Sequence, residues 1–387
     1  MTGVRIRHVL STLFVLASST LRAQGAIGLQ GYGYPPGQLT VRAATSGGGL
    51  AEFDQAAPLN PAALMNWGVA GAYIQYAPER RTTTIDGTAV TTTVSRFPVC
   101  AIGLPAGLQY SFGISSSTLL ERNYSTQLST RQLIRRDSVT TSTATTARGA
   151  LNDVRFGGAM QVTSWLRAGA ALHVLTGENR VRNVRSIAPD SGARVDTVTY
   201  GSITENSTST FSGTALSFGV DIAPTKNFSV AGSARLGFGL RAELNDSTSR
   251  RADAPSRAGI AARWEVARSN LTARYNWEGW SSMKKLGAES NGVFDTQEYG
   301  VGAELPGPKI RGGQMLVRIG VRRRDLPYGV AGVQPTEDLL GGGFGFPLGF
   351  GRAQVDLGVE RATRKVSSLP NVSERGLIYS FGFRLRT

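Results

Sequence analysis

Over most of the chain, large apolar residues alternate with small or charged ones at a period of two. In "GQMLVRIGVRR", Met315, Val317, Ile319 and Val321 share one face, and Arg318, Gly320 and Arg322 share the other. "GRAQVDLGVE" sets Ala353, Val355, Leu357 and Val359 against Arg352, Gln354, Asp356 and Glu360. "GLIYSFGFRLRT" opposes Leu377, Tyr379, Phe381, Phe383 and Leu385 to Ser380, Gly382, Arg384 and Arg386. Period two with opposed chemistries on the two faces is the signature of β-strands. Repeated along the chain it predicts about fourteen strands, the first near 66–77 and the last near 374–386.

The connections fall into two sizes. Short turns such as 163–164, 223–227, 267–269 and 347–351 alternate with long polar stretches at 76–91, 121–148, 176–210 and 244–256, which read as loops. Short turns at one end and long loops at the other, with an even strand number, predict an all-β protein, a transmembrane antiparallel β-barrel. Closure is required because lipid cannot satisfy a free strand edge. Trp67, Trp165, Trp264 and Phe228 lie near strand ends and suit interfacial aromatic girdles.

The first 23 residues change the picture at the N-terminus. Arg5, Arg7 and His8 precede the apolar run "VLSTLFVLASSTL", and Ala23 offers a cleavage edge, so residues 1–23 read as a secretory signal. Removing Arg5, Arg7 and Arg22 lowers the formal charge from +15 to about +12. A basic excess on an exported chain points to anionic lipid or a basic pore, not to nucleic acid. Lone Cys100 excludes an internal disulfide, and with only His8 and His173 a histidine metal site or catalytic triad is not expected. "GGGFGFPLGFG" lacks the Lys-Ser/Thr of a phosphate loop and reads as a strand and turn.

Residues 24–65 do not alternate for long. They are rich in Gly, Pro and Ala, yet Leu39, Val41, Leu50, Phe53, Leu59 and Leu64 give them something to bury. A barrel of about fourteen strands leaves a lumen too wide for wall side chains alone. The expectation is an N-terminal plug in that lumen (24–65) followed by the barrel (66–387). Asn60-Pro61 would fix the turn into the first strand, because proline locks φ and holds Asn60 extended.

Four stretches carry a resemblance: "GGLAEFDQAAPLNPAAL"; "APSRAGIAARW" followed by "ARYNWEGWSS"; "YGVGAEL"; and "LVRIGVRRRDLPYG". In order and spacing the chain resembles the FadL family of outer-membrane transport proteins for long-chain fatty acids and other hydrophobic compounds. The resemblance implies a 14-stranded barrel whose lumen is blocked by an N-terminal hatch, with ligand held beside the hatch and released through the wall. Asn60, Pro61 and Ala62 match the family's hatch motif.

If the apolar faces look outward, Arg263, Arg274, Arg318, Arg322, Arg352 and Arg384 look inward, beside Glu265, Glu278, Glu298, Glu304, Asp356 and Glu360. Such charges would pair with one another and with the plug, or surplus arginine would clamp a carboxylate. The expected function is passive, hatch-gated uptake of hydrophobic molecules, fatty acids or aromatic hydrocarbons, across a bacterial outer membrane. No enzyme activity, cofactor, metal or nucleic acid is expected. The other expected contacts are membrane lipid and lipopolysaccharide, the latter at Arg131, Arg135 and Arg136, and the barrel is expected to be monomeric. The alternatives are a non-transporting partner in protein secretion and a general diffusion porin.

Overall fold

In the computed structural model, residues 27, 30–134, 137–189, 201–245, 248–287, 292–310 and 313–387 are described. The signal segment 1–23 lies outside them, as do Arg135 and Arg136. Eighteen hydrogen-bonded segments form a single sheet. They make fourteen strands, because four strands are each broken in two. The strands are β1 (Gly71–Tyr76 and Glu79–Ile85), β2 (Thr88–Val94 and Val99–Ala106), β3 (Tyr110–Glu121 and Tyr124–Ile134), β4 (Asp137–Thr163) and β5 (Leu166–Pro189). There follow β6 (Ser202–Thr225), β7 (Phe228–Leu244), β8 (Thr248–Asp253 and Ser256–Val266), β9 (Ser269–Gly279) and β10 (Thr296–Ile310). The last four are β11 (Gly313–Asp325), β12 (Thr336–Leu348), β13 (Ala353–Lys365) and β14 (Val372–Arg386). Each pairs antiparallel with its neighbours, and β1 pairs with β14 from Gly71↔Arg386 to Tyr76↔Phe381, so the barrel closes.

Three of the breaks sit at Pro78, Pro98 and Pro255, which have no N–H to give a neighbouring strand. The fourth, after Glu121, comes where that residue exchanges two backbone hydrogen bonds with Tyr34 of the N-terminal segment, at 2.8 and 2.9 Å.

The apolar faces look outward, as the alternation requires. Ile74, Ile102, Ile114, Phe156, Leu172, Phe218, Ile319 and Phe383 are all exposed on the outer wall. Trp165, Trp264 and Phe228 stand exposed by the short turns. Trp67 does not join them. It is buried inside, where a Cβ on Gly103 would meet its indole at 2.2 Å.

The stretches expected as loops are largely strand. β4, β5 and β6 run for 27, 24 and 24 residues, against the roughly 9–11 that span a bilayer. Beyond the apolar belt β4 and β6 are rich in Thr and Ser and β5 alternates Val with Arg and Asn, residues that suit a pleated surface with water on both sides. Cross-strand hydroxyl pairs such as Ser125–Thr146 at 3.4 Å, between β3 and β4, lie along these extensions. With both faces polar, alternation of hydrophobicity carries no signal there.

Residues 34–67 lie against the inner wall. Thr40 accepts from Ala43 N and caps a short helix, α1 (Val41–Thr45). Asn60 accepts from Ala62 N at 3.0 Å and caps a 3-10 helix (Pro61–Trp67), with proline in its first turn. β1 therefore starts at Gly71, a few residues beyond the boundary that alternation suggests. Between the two helices the chain meets the wall backbone to backbone. A Cβ on Gly300 would lie 1.8 Å from the Gly47 carbonyl, one on Gly302 2.3 Å from that of Ser46, and one on Gly320 2.1 Å from Gly47 N. On the opposite wall a Cβ on Gly219 would meet the Asn60 amide at 1.9 Å, and one on Gly169 would meet Ala62 N at 2.6 Å.

Gly300→Ala should therefore displace the segment while leaving the barrel closed, at a cost of about 1–3 kcal/mol. Gly239→Ala, with nothing within 4 Å of the new Cβ, should change nothing. Limited proteolysis of the folded, heat-modifiable barrel separates the two, with cleavage before residue 67 expected only in the first variant.

Candidate functional site

The lumen is filled in layers. At the long-strand end lies an apolar cluster, with Leu120, Leu151, Leu175, Phe211 and Leu240 on the wall. Its centre is occupied by Trp280 and Met283 of a second 3-10 helix (Trp280–Leu286), both fully buried, under Tyr328. Gly287 ends that helix in the left-handed conformation (φ +91°). Tyr32 meets Phe211 edge-on at 5.6 Å, so the N-terminal segment forms one side of the cluster. Arg122 stands at its margin with its Nε buried and unpartnered among the described residues. Burial lifts the Tyr328 phenol above its usual range, against the opposing charge of Arg122.

Beside this cluster Tyr34 sits in a cage of four arginines. The guanidiniums of Arg364, Arg324, Arg96 and Arg81 stand 4.4, 5.1, 5.3 and 5.4 Å from its ring centroid. Glu79, Glu121, Glu337 and Glu374 balance them. Arg364 reaches Glu374 at 2.5 Å, Glu337 at 2.7 Å and Glu79 at 2.9 Å, and Arg96 reaches Glu121 at 2.6 Å. Tyr34 donates to Glu337 at 2.9 Å and accepts from Arg324. Its burial raises the phenol above its usual value despite Arg324 and Arg364, which keeps the donor proton in place.

Lower in the lumen Glu52 is the main charged tie between segment and wall. It pairs with Arg257, accepts from Ser233 at 2.7 Å and lies 3.6 Å from Arg274. Burial alone would raise its carboxyl, but Arg257 and Arg274 hold it below the usual range. Arg42 makes a second tie, two hydrogen bonds to Glu304 at 2.7 and 2.9 Å. His173 bridges Asp153 and Ser217 at 2.8 Å each, all three nearly inaccessible, so it faces the lumen and is satisfied there. Arg235 joins them through Asp153 at 3.2 Å.

The sequence-derived candidates distribute unevenly. Asn60, Pro61 and Ala62 are buried at the turn into the second helical segment, and the Asn60 amide donates to Glu52 O at 2.9 Å and Val220 O at 3.1 Å. Arg274 pairs with Glu298, Arg318 with Glu304 (2.7 Å) and Asp356 (2.6 Å), and Arg322 with Glu360 (3.0 Å). Arg263 lies over the Phe53 ring at 4.7 Å and donates to Ser229 at 3.2 Å. Arg384 is buried with two nitrogens unpartnered among the described residues. Arg352 is not lumenal. It lies exposed in the turn after Gly349–Gly351, where the strand period no longer dictates facing. The Tyr34 cage escaped the sequence reading because 76–91 read as loop, although Glu79, Arg81 and Thr83 alternate with Arg80 and Thr82.

Glu52→Gln should loosen the segment by about 3 kcal/mol, since it strands buried guanidiniums. The depressed carboxyl gives a pH sign. Its contribution is complete above the unfolded value of about 4.3 and is lost as pH falls through the lower folded value. Digestion at graded pH should therefore open the segment in the wild type only below about pH 4, and in Glu52→Gln already at neutral pH.

The family model described as BamG matches residues 6–305. No curated protein matches the sequence. Among solved structures, a Pseudomonas aeruginosa FadL homologue superposes with TM-score 0.60 at 12% identity, covering 92% of this chain and 99% of its own. The Pseudomonas putida toluene transporter TodX gives 0.54 at 12%, over 94% and 100% of the two chains. CymD, a monoaromatic hydrocarbon channel, gives 0.53 at 13%, over 90% and 97%. At such identities the likeness is one of fold, and the FadL resemblance holds at that level. Matched over most of its length, the chain belongs to the BamG family, built on the closed barrel fold of the FadL-type proteins.

Proposed function

We propose that this protein is an outer-membrane conduit for small hydrophobic molecules that rests closed, with residues 30–67 as its hatch. The observation that carries the reading is the apolar cluster above a polar, ion-paired layer, flanked by broken wall strands. Leu119 and Leu120 adjoin the break in β3, and Ala252 and Ala254 adjoin the break in β8. A hydrophobic guest displacing Trp280, Met283 and Leu286 would find apolar walls and, beside it, strand ends not tied by a continuous ladder. The buried, unpartnered Nε of Arg122 favours a guest with a carboxylate, a fatty acid. Arg274, Arg318 and Arg322 are committed to glutamate and aspartate, whereas the buried Arg384 makes no ion pair among the described residues.

A second reading, a docking partner in protein secretion, draws on how little room two cavities among the described residues leave in the lumen. The cavities beside Tyr34 and beside Arg274 hold about 30 Å³ each, room for a water molecule. An open diffusion porin fits poorly with that filling.

Uptake of labelled oleate and of toluene by cells lacking their own transporter tests the proposal, with each variant first shown folded at equal level. Wild type should take up oleate, Asn60→Ala/Pro61→Ala should change the rate, and Arg122→Gln should lower oleate uptake about tenfold while sparing toluene. No uptake of either compound would overturn the conduit reading in favour of docking.

A further inference from the structure

The outer wall from β10 to β1 carries charges that the conduit does not use. Register aligns Val301, Val321, Leu340, Arg361, Leu377 and Arg80 in one outward row. The next row toward the long-strand end runs Tyr299, Arg323, Asp338, Thr363, Arg375 and Thr82. Arg80, Arg323, Arg361 and Arg375 are exposed. The only acid among the residues of these two rows is Asp338, 3.8 Å from Arg323 and itself exposed. No ion pair engages Arg80, Arg361 or Arg375 among the described residues. Across these two rows lies a groove of about 580 Å³ lined by Tyr299, Val301, Val321 and Leu340, with Arg323, Asp338 and Arg361 as its charged lining residues on the outer wall.

Position makes these charges informative. On a lipid-facing wall an arginine costs about 2–4 kcal/mol at mid-bilayer and little near the interface. The apolar run of β14, from Leu385 through Phe383, Phe381 and Tyr379 to Leu377, ends at Arg375, so the arginines mark the upper edge of the belt. An apolar groove within the belt and an excess of guanidinium in its lining match an acyl chain joined to a phosphate. Guanidinium binds phosphate through paired hydrogen bonds, and its stem reaches toward headgroups along apolar surface.

We propose that this face binds a phosphorylated, multiply acylated lipid of the outer leaflet, its phosphate on Arg323, Arg361 and Arg375 and one acyl chain over Val321 and Leu340. The site is independent of whether the lumen conducts.

Native mass spectrometry of the protein released from nanodiscs tests this, using diphosphorylated lipid A, its dephosphorylated form and inorganic phosphate as probes. Wild type should retain the phosphorylated lipid. Arg323→Gln/Arg361→Gln/Arg375→Gln should lose it by about a hundredfold, at roughly a factor of five for each of the three charges. Inorganic phosphate should not compete, because it has no acyl chain. Equal retention by the triple variant, with heat-modifiability showing an intact barrel, would overturn the site. Equal retention of the dephosphorylated lipid would overturn the phosphate assignment. As an internal control, Arg241→Gln/Arg251→Gln on the exposed extensions of β7 and β8 should leave retention unchanged.

Discussion

Everything inside this barrel depends on how closely the N-terminal segment approaches the wall. Fourteen strands enclose more space than their own inward side chains can fill, and a space only partly filled would strand buried charge. The wall solves this by omitting side chains where the segment passes. Gly300, Gly302 and Gly320 let Ser46 and Gly47 lie directly on β10 and β11, while Gly169 and Gly219 receive Asn60 to Ala62 on the far side. Backbone contact on both sides sets the depth of the segment, and that depth delivers Glu52 to Arg257 and Tyr34 to its four arginines.

The electrostatics follow from this placement. Ionised groups taken out of water are tolerable only when partnered, and the lumen supplies partners from three or four strands at once. Arg364 on β13 reaches acids on β1, β12 and β14, so it fastens non-adjacent parts of the wall. Tyr34 closes that arrangement with a ring face, which guanidiniums approach favourably, and with a proton for Glu337. The apolar cluster lies beside this charged layer and is filled by Trp280 and Met283, so polar and apolar regions of the lumen are segregated. With Trp280 and Met283 buried at its centre, the apolar region is occupied by the protein itself.

Much of the barrel could be read from the sequence, because a wall with lipid on one face and packed charge on the other imposes strict alternation. Val317, Ile319 and Val321 against Arg318, Gly320 and Arg322 is the plainest case. The signal failed where both faces meet water, along the extensions of β4 to β6, and where a turn interrupts the parity, at Arg352. Trp67 misled because an aromatic near a strand start suits an interface as well as a core. The partners of His173 were not legible, since Asp153 and Ser217 lie on neighbouring strands rather than nearby in sequence. Asn60 and Pro61 were legible as a turn, but not as the point where the segment grips β6 through the Val220 carbonyl. The glycines were visible as letters without a role, because close approach is a property of two segments together.

Segment and wall pack as one body, and amide hydrogen exchange of the protein in a lipid bilayer shows whether they open together. Residues 41–67 should exchange as slowly as β10 to β14, since local opening would require breaking the same packing. Exchange of 41–67 orders of magnitude faster than the wall strands would contradict this, and would mean that the segment rests loosely in an open lumen.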